Sequence, residues 1–275
     1  RVRMNRKRRP KIAIAILTIS AVLSVFAGFI APYKPNFMNE YAIGTSPSIS
    51  HIFGTDNLGR DLFSMILYGG RASLTIGIAS ALIGTLIAAV YGTMSGMANK
   101  HVDRLMMKAT DLFMSIPALL LVIVLEAIWG EASYTSLSLV IGITSWMQMS
   151  KVIRSEVIRL RKSEFVIAAE MYGGSFWYIL RRHLFPNYFS SIMFMAVSNV
   201  GSAIIVESTL SFMGLGLPIS EISWGSLMSL SQDALLSDQW WMIIIPGLIL
   251  ISVLVSITEI GEYIRGRNTS KGSNI

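Results

Sequence analysis

None of the 23 lysines and arginines falls inside six apolar stretches, residues 12–31, 72–97, 112–129, 136–149, 188–212 and 241–264. A helix needs about 20 mostly apolar residues to cross the hydrocarbon core of a bilayer. In hydrocarbon every backbone polar group must be satisfied internally, which a helix does by itself. The expected fold is therefore all-α: a polytopic membrane protein with about six transmembrane helices. The fourth stretch is the shortest, and its helix is expected to run on into water through Arg161. Only 14% of the residues are charged, against about 25% in a soluble domain.

The basic residues also orient the chain. Seven lie in residues 1–11, three in 98–110, seven in 149–187 and three in 263–275, leaving only Lys34, Arg60 and Arg71 for the alternate connections. Positive residues collect on the cytoplasmic side, so both termini are expected there, in the cytoplasmic membrane of a prokaryote. This bias also accounts for the net charge of +7 without nucleic acid as a partner. Residues 12–31 follow the basic Arg1–Lys11 segment, as the core of a secretory signal does. They exceed the roughly 7–15 residues of such a core and no small-residue cleavage site follows, so an uncleaved helix is expected.

Composition removes several chemistries. The chain has no cysteine, hence no disulfide framework and no thiolate metal site. His51, His101 and His183 are far apart in sequence and form no local ligand pair, so no metal site is expected. No phosphate-binding G-x-x-x-x-G-K-[ST] run occurs, so no nucleotide or other cofactor is expected on this chain and no catalytic residue is assigned.

The long connection at 151–187 is the most informative segment. Ser163 is a good N-cap, Glu164 suits the positive end of a helix, and Gly173 suits its left-handed termination. Between them Phe165, Ala168, Ala169 and Tyr172 fall at i, i+3, i+4 and i+7, one apolar stripe. The predicted helix is about 13 Å long, far too short to cross a membrane, and must lie beside it. Two readings stay open from the residues alone: a helix resting in the headgroups, and a helix presented to a soluble partner. The small Ala168 and Ala169 favour the second, because they leave room for another backbone.

The run from Glu164 to Ala169, Gly173, and the run from Arg181 to Pro186 and Asn187 resemble the signature loop of ABC-importer permeases. Other segments resemble the branch that serves dipeptide, oligopeptide and nickel importers. These are the runs His51–Asp61, Tyr68–Leu74 with Gly77, and Glu207–Gly216, then Pro218, Ser223–Gly225 and Pro246–Gly247. The resemblance covers about residues 51 to 265. Ile167 stands where the loop signature most often has glutamate, Met65 stands where the branch commonly has arginine, and the branch's Leu-Asp-Pro ending is missing after Arg265. The resemblance implies a type I importer permease fold whose loop forms a coupling helix, with Glu164, Phe165, Ala168, Ala169, Tyr172, Gly173 and Pro186 meeting a cytoplasmic ATPase. It implies four kinds of partner: a second homologous permease, two ATPase subunits that carry ATP and Mg, an extracytoplasmic binding protein, and lipid. Residues 1–11 would form a basic cytoplasmic segment, 12–31 the first span, 32–70 an extracellular loop, 71–265 the permease core and 266–275 a cytoplasmic tail. Within that core, 151–187 is the coupling loop.

Several features outside that loop carry readings of their own. Leu58, Leu62, Met65 and Ile66 have helical spacing and predict a short amphipathic helix on the outer surface. Gly214 and Gly216 predict a break after the fifth span, followed by a cap over the pore mouth at 213–240. Carboxylates within spans are expensive and mark function by default. Glu207, beside that break, is the strongest such residue, either at a pore mouth or hydrogen-bonded to broken backbone. Glu126 is placed at the outer interface, Glu259 within the last stretch, and Asp111 at the edge of a span. Two other classes fit the sequence less well. An intramembrane hydrolase needs paired catalytic groups at one depth, yet no histidine lies in a span and Asp111 has no aspartyl partner. A secondary transporter or channel working without ATP would show an inverted repeat, and none is evident.

Overall fold

The computed structural model describes residues 10–271 apart from 219, 235 and 236. The basic cluster up to Arg9 and the last four residues of the tail lie outside the described residues. Eleven α-helices are described, with no strand among them beyond an isolated Thr55–Asp61 bridge: α1 Lys11–Val25, α2 Ala27–Ile30, α3 Leu62–Met97, α4 Lys100–Met114, α5 Ala118–Trp129, α6 Tyr134–Arg161, α7 Glu164–Met171, α8 Phe176–Ile179, α9 Phe185–Phe212, α10 Trp224–Ala234 and α11 Trp240–Lys271.

α3 is the axis of the bundle. Gly84, Gly92 and Gly96 face α6, where small residues let two backbones meet. A side chain at Gly92 would lie 2.5 Å from the Ser150 carbonyl oxygen, and one at Gly96 would lie 2.8 Å from Val157. Gly142 of α6 returns the contact against Ile83. In lipid such van der Waals fit, rather than escape from water, holds helices together.

Three buried clusters run along the bundle. One end joins Leu62, Met65 and Ile66 of α3 to Trp224 and Leu227 of α10 and to Trp241 and Met242 of α11. The middle joins Ile76 to Val122 of α5, Leu137 and Ile141 of α6, and Leu210 of α9. The opposite end joins Ile153, Val157 and Leu160 of α6 to Val166 of α7, Ile179, Leu184 and Tyr188.

Among the described residues, α3, residues 191–212 of α9 and residues 240–266 of α11 are long and apolar enough to cross a membrane, and α4 with α5 make a fourth if counted as one bent span. Six spans would require α1 and α6 as well. α1 has 15 residues and breaks at Phe26 before α2. α6 has 28 residues, but its second half carries Lys151, Arg154, Glu156 and Arg159. It does continue as one helix through Arg161, as expected.

Two expectations need correction. The third span, 112–129, is not one helix: α4 and α5 are bent by 83° across residues 115–117. Pro117 lacks an N–H and keeps the residue before it out of the helical region. The short amphipathic helix on the outer surface is also not a separate element. Leu62, Met65 and Ile66 are the first turns of α3 and are buried under α10 and α11, whereas Leu58 lies in the preceding loop. Asp61 sets the boundary, accepting from the Ser64 N–H at 2.9 Å as the helix cap and pairing with buried His51 at 2.9 Å.

α4 is held by side chains. Arg154 of α6 pairs with Asp103 through two nitrogens, and Lys151 pairs with Asp111. The Arg154 guanidinium holds the Asp103 carboxyl below the usual carboxylate range, against the opposing effect of burial. Tyr91 of α3 donates to the Met106 carbonyl at 2.8 Å. Arg161 donates to the carbonyls of Gly96 and Met97 at 3.3 and 3.1 Å, closing the C-terminal end of α3 with a cation as the helix dipole favours.

Candidate functional site

α7 has eight residues, about 12 Å of helix. Its N-cap differs from expectation: the Ser163 side chain makes no capping bond to α7 and instead donates to the Leu160 carbonyl. The C-terminal end matches the sequence reading. Gly173 has φ +78, its N–H donates to the Glu170 carbonyl at 3.0 Å, and the Gly174 N–H donates to the Ala169 carbonyl at 2.9 Å. Those are the two bonds of a Schellman termination. Gly174, which sequence reasoning passed over, is needed for space: a side chain there would meet the Ala169 carbonyl oxygen at 2.7 Å.

One residue fixes α7 to the bundle. Val166 is fully buried among Leu160, Ile179, Leu184 and Tyr188. The predicted stripe lies elsewhere on the helix. Phe165 and Ala168 are exposed, Tyr172 is 93% exposed, and Ala169 is half-buried. The register of apolar residues identified a coherent stripe, but the buried anchor sits one position away from it.

Phe165, Ala169, Tyr172 and Gly173 border an open recess of about 620 Å³ completed by Gly174, Ser175, Tyr178 and His183. Tyr178 and Phe165 place their rings 5.5 and 6.0 Å from the His183 imidazole. Among the described residues the buried Nε2 of His183 has no hydrogen-bond partner. Pro186 lies in the second position of α9, immediately after a π turn over Leu180–Leu184. A proline ring crowds the carbonyl four residues back, and the wider π turn accommodates it. Pro186 thus shapes the wall behind the recess and does not line it.

At the opposite end of the bundle, Glu207 is fully buried. It accepts from the hydroxyls of Ser73 at 3.1 Å, Ser211 at 2.8 Å and Ser208 at 3.5 Å. Ser73 in turn accepts from the Trp224 N–H at 3.1 Å. The carboxylate therefore ties α3, α9 and α10 together through hydroxyls, where the alternative of broken backbone had been expected. Gly214, with φ +77, ends α9 in a second Schellman turn: its N–H reaches the Ser211 carbonyl and the Leu215 N–H reaches that of Leu210. Gly216 is packed so closely that a side chain would lie 2.1 Å from the Ser211 hydroxyl. Glu126 is also buried, with the Ser136 hydroxyl 2.5 Å away, and Glu259 is exposed on α11.

Removing the Glu207 carboxylate leaves its serine hydroxyls without their acceptor. Glu207→Ala should destabilise the bundle by about 1–3 kcal/mol, and Glu207→Gln, which keeps one acceptor, should lose less. Thermal unfolding in detergent measures both. Equal midpoints for the alanine variant and the parent would remove this tie.

The chain is similar to known proteins over most of its length. The family described as "Binding-protein-dependent transport system inner membrane component" matches residues 88–269, from the second half of α3 through α11. A protein of Brucella suis, provisionally named a peptide permease, is 34% identical over 235 residues, which are 85% of this chain and 78% of that one. The dipeptide transport system permease protein DppC of Bacillus subtilis is 32% identical over 94% of this chain and 81% of its own length. The oligopeptide transport system permease protein OppC of the same organism is 30% identical over 96% and 86%. With its apolar helices and that match across most of its length, this multi-pass chain belongs to the inner membrane component family of binding-protein-dependent transport systems.

Proposed function

We propose that this chain is the non-catalytic permease subunit of an ATP-driven importer, forming half of a pathway for short peptides, nickel or metal-chelate complexes. A second homologous permease supplies the other half, an extracytoplasmic binding protein delivers the solute, and two cytoplasmic ATPases hold ATP and Mg. In this reading six helices cross the bilayer, both termini are cytoplasmic, and α7 is the coupling helix. Peptide is favoured as cargo because the relatives include a dipeptide and an oligopeptide permease. The observation that carries the reading is the division of labour on α7: Val166 is buried in the bundle while Phe165, Ala168 and Tyr172 are left exposed beside an open recess. A short helix so held moves with the bundle and presents a face to whatever grips it. ATP-driven closure of the ATPases would shift this face, and a bundle with two arrangements would follow.

The test is co-purification. The parent chain extracted in mild detergent should bring down an ATPase subunit. Ala169→Arg, which drives a long cation into the recess, should reduce the recovered ATPase about tenfold or more while leaving chain abundance unchanged. A parent chain that supports uptake on an ion gradient, with no ATPase bound, would overturn the proposal.

A further inference from the structure

The amphipathic helix α4 takes no part in the reading of α7, and the structure places it in an unusual posture. It has three faces. Asp103, Met106 and Thr110, at i, i+3 and i+7, turn toward the bundle and are buried or half-buried. Lys100, Arg104 and Lys108, at i, i+4 and i+8, form an exposed basic face. Val102, Leu105, Ala109 and Leu112 form an exposed apolar face, with Leu105 and Leu112 each 70% exposed. At 3.6 residues per turn the three faces are centred about 120° apart.

Its direction is fixed by two observations. α5 meets α6 at two points a turn apart, Val122 in the cluster with Leu137 and Ile141 and Glu126 against the Ser136 hydroxyl, and α4 departs from α5 at 83°. Asp103 and Asp111 are about 12 Å apart along α4, yet they pair with Arg154 and Lys151, about 4.5 Å apart along α6. α4 therefore crosses α6 instead of running beside it. With α5 and α6 across the bilayer, α4 lies close to the plane of the membrane, at the end of the bundle that carries α7.

We propose that α4 is an interfacial anchor: Val102, Leu105 and Leu112 enter the acyl region while Lys100, Arg104 and Lys108 hold the anionic phospholipid headgroups of that leaflet. An in-plane helix with an apolar face and an adjacent cationic face has the pattern that binds anionic membranes. The long lysine and arginine stems allow the charges to reach the phosphate layer from a helix seated just below it. Asp111 lies within the basic face, between Lys100 and Arg104 around the helix, and Lys151 neutralises it. The ion pairs to α6 make the anchor part of the bundle, so headgroup composition acts directly on α6.

The chain has no cysteine, so a nitroxide can be placed on it at one chosen position. Leu105→Cys and Arg104→Cys chains, so labelled, are extracted from membranes with their native subunits and lipids in polymer-bounded discs. The label at 105 should be relaxed by oxygen dissolved in the acyl layer, and the label at 104 by an aqueous nickel chelate. A label at 105 shielded from both relaxants would mean that another subunit covers this face, and one relaxed by the aqueous chelate would mean a solvated face. Either overturns the proposal. A Lys100→Gln, Arg104→Gln, Lys108→Gln chain should retain phosphatidylglycerol over phosphatidylethanolamine at least about fivefold less strongly, the effect of losing one basic residue at the surface. An unchanged lipid ratio overturns the headgroup assignment. Neither readout depends on ATPase recovery, so failure of the importer reading is seen separately.

Discussion

Uptake should fall to background in a Gly173→Pro protein that still reaches the membrane in normal amount. Proline fixes φ near −65° and has no N–H, whereas Gly173 holds φ +78 and donates to the Glu170 carbonyl. The substitution also drives Tyr172 out of its near-helical conformation, so the last turn of α7 opens and carries Ala168 and Ala169 with it. Nothing lies within 4 Å of a side chain built at Gly173, so no clash propagates into the bundle and the damage stays local. A local penalty of about 3 kcal/mol depletes the docking-competent form roughly a hundredfold. Gly173→Asn, which tolerates the left-handed region, should keep most of the activity. Transport in whole cells, normalised to membrane-embedded protein, measures this. Uptake within about twofold of the parent in the proline variant would show that the end of α7 bears no load.

Gly92→Leu should sharply lower both the thermal stability and the folded amount of the chain. The first side-chain atom alone would stand 2.5 Å from the Ser150 carbonyl oxygen and 2.9 Å from Ile153 Cβ, and a backbone oxygen cannot rotate away. α3 and α6 would have to separate along their contact, at about 3 kcal/mol or more. Gly84→Ala is the informative comparison. Its nearest neighbour is the Ser145 hydroxyl at 2.1 Å, the tip of a side chain that can turn, so a smaller loss is expected. Membrane abundance and thermal unfolding in detergent should separate the two. A folded, thermally normal Gly92→Leu chain would contradict the close approach of these helices.

The sequence made some of this visible and hid the rest for physical reasons. Apolar length and the exclusion of lysine and arginine marked where helices run, because hydrocarbon tolerates little else. Gly173 and Gly214 were legible because a left-handed termination has a strong residue preference. Val166 was not, since a valine beside an apolar stripe looks the same whether it faces a core, a partner or lipid. The start of α3 was misjudged because Leu62, Met65 and Ile66 have the same period on a surface helix as in the first turns of a buried one. Only the distant Trp224 and Trp241 decide between them. The bend between α4 and α5 was hidden because Pro117, which divides the two helices, lies within the single apolar stretch 112–129. The serine cage around Glu207 joins residues as far apart as Ser73 and Ser211, a pairing that spacing along the chain does not encode.

α6 runs without interruption from Tyr134 to Arg161, about 42 Å. One end packs Val157 and Leu160 against Val166, and the other holds Ser136 against Glu126. A rod of that length converts angle into travel: pivoting it by about 10° at the α7 end swings its far tip by about 7 Å. That is roughly the width of an extended peptide chain. Opening an entrance at one surface therefore requires no melting or sliding within this helix, only a modest pivot delivered at the other.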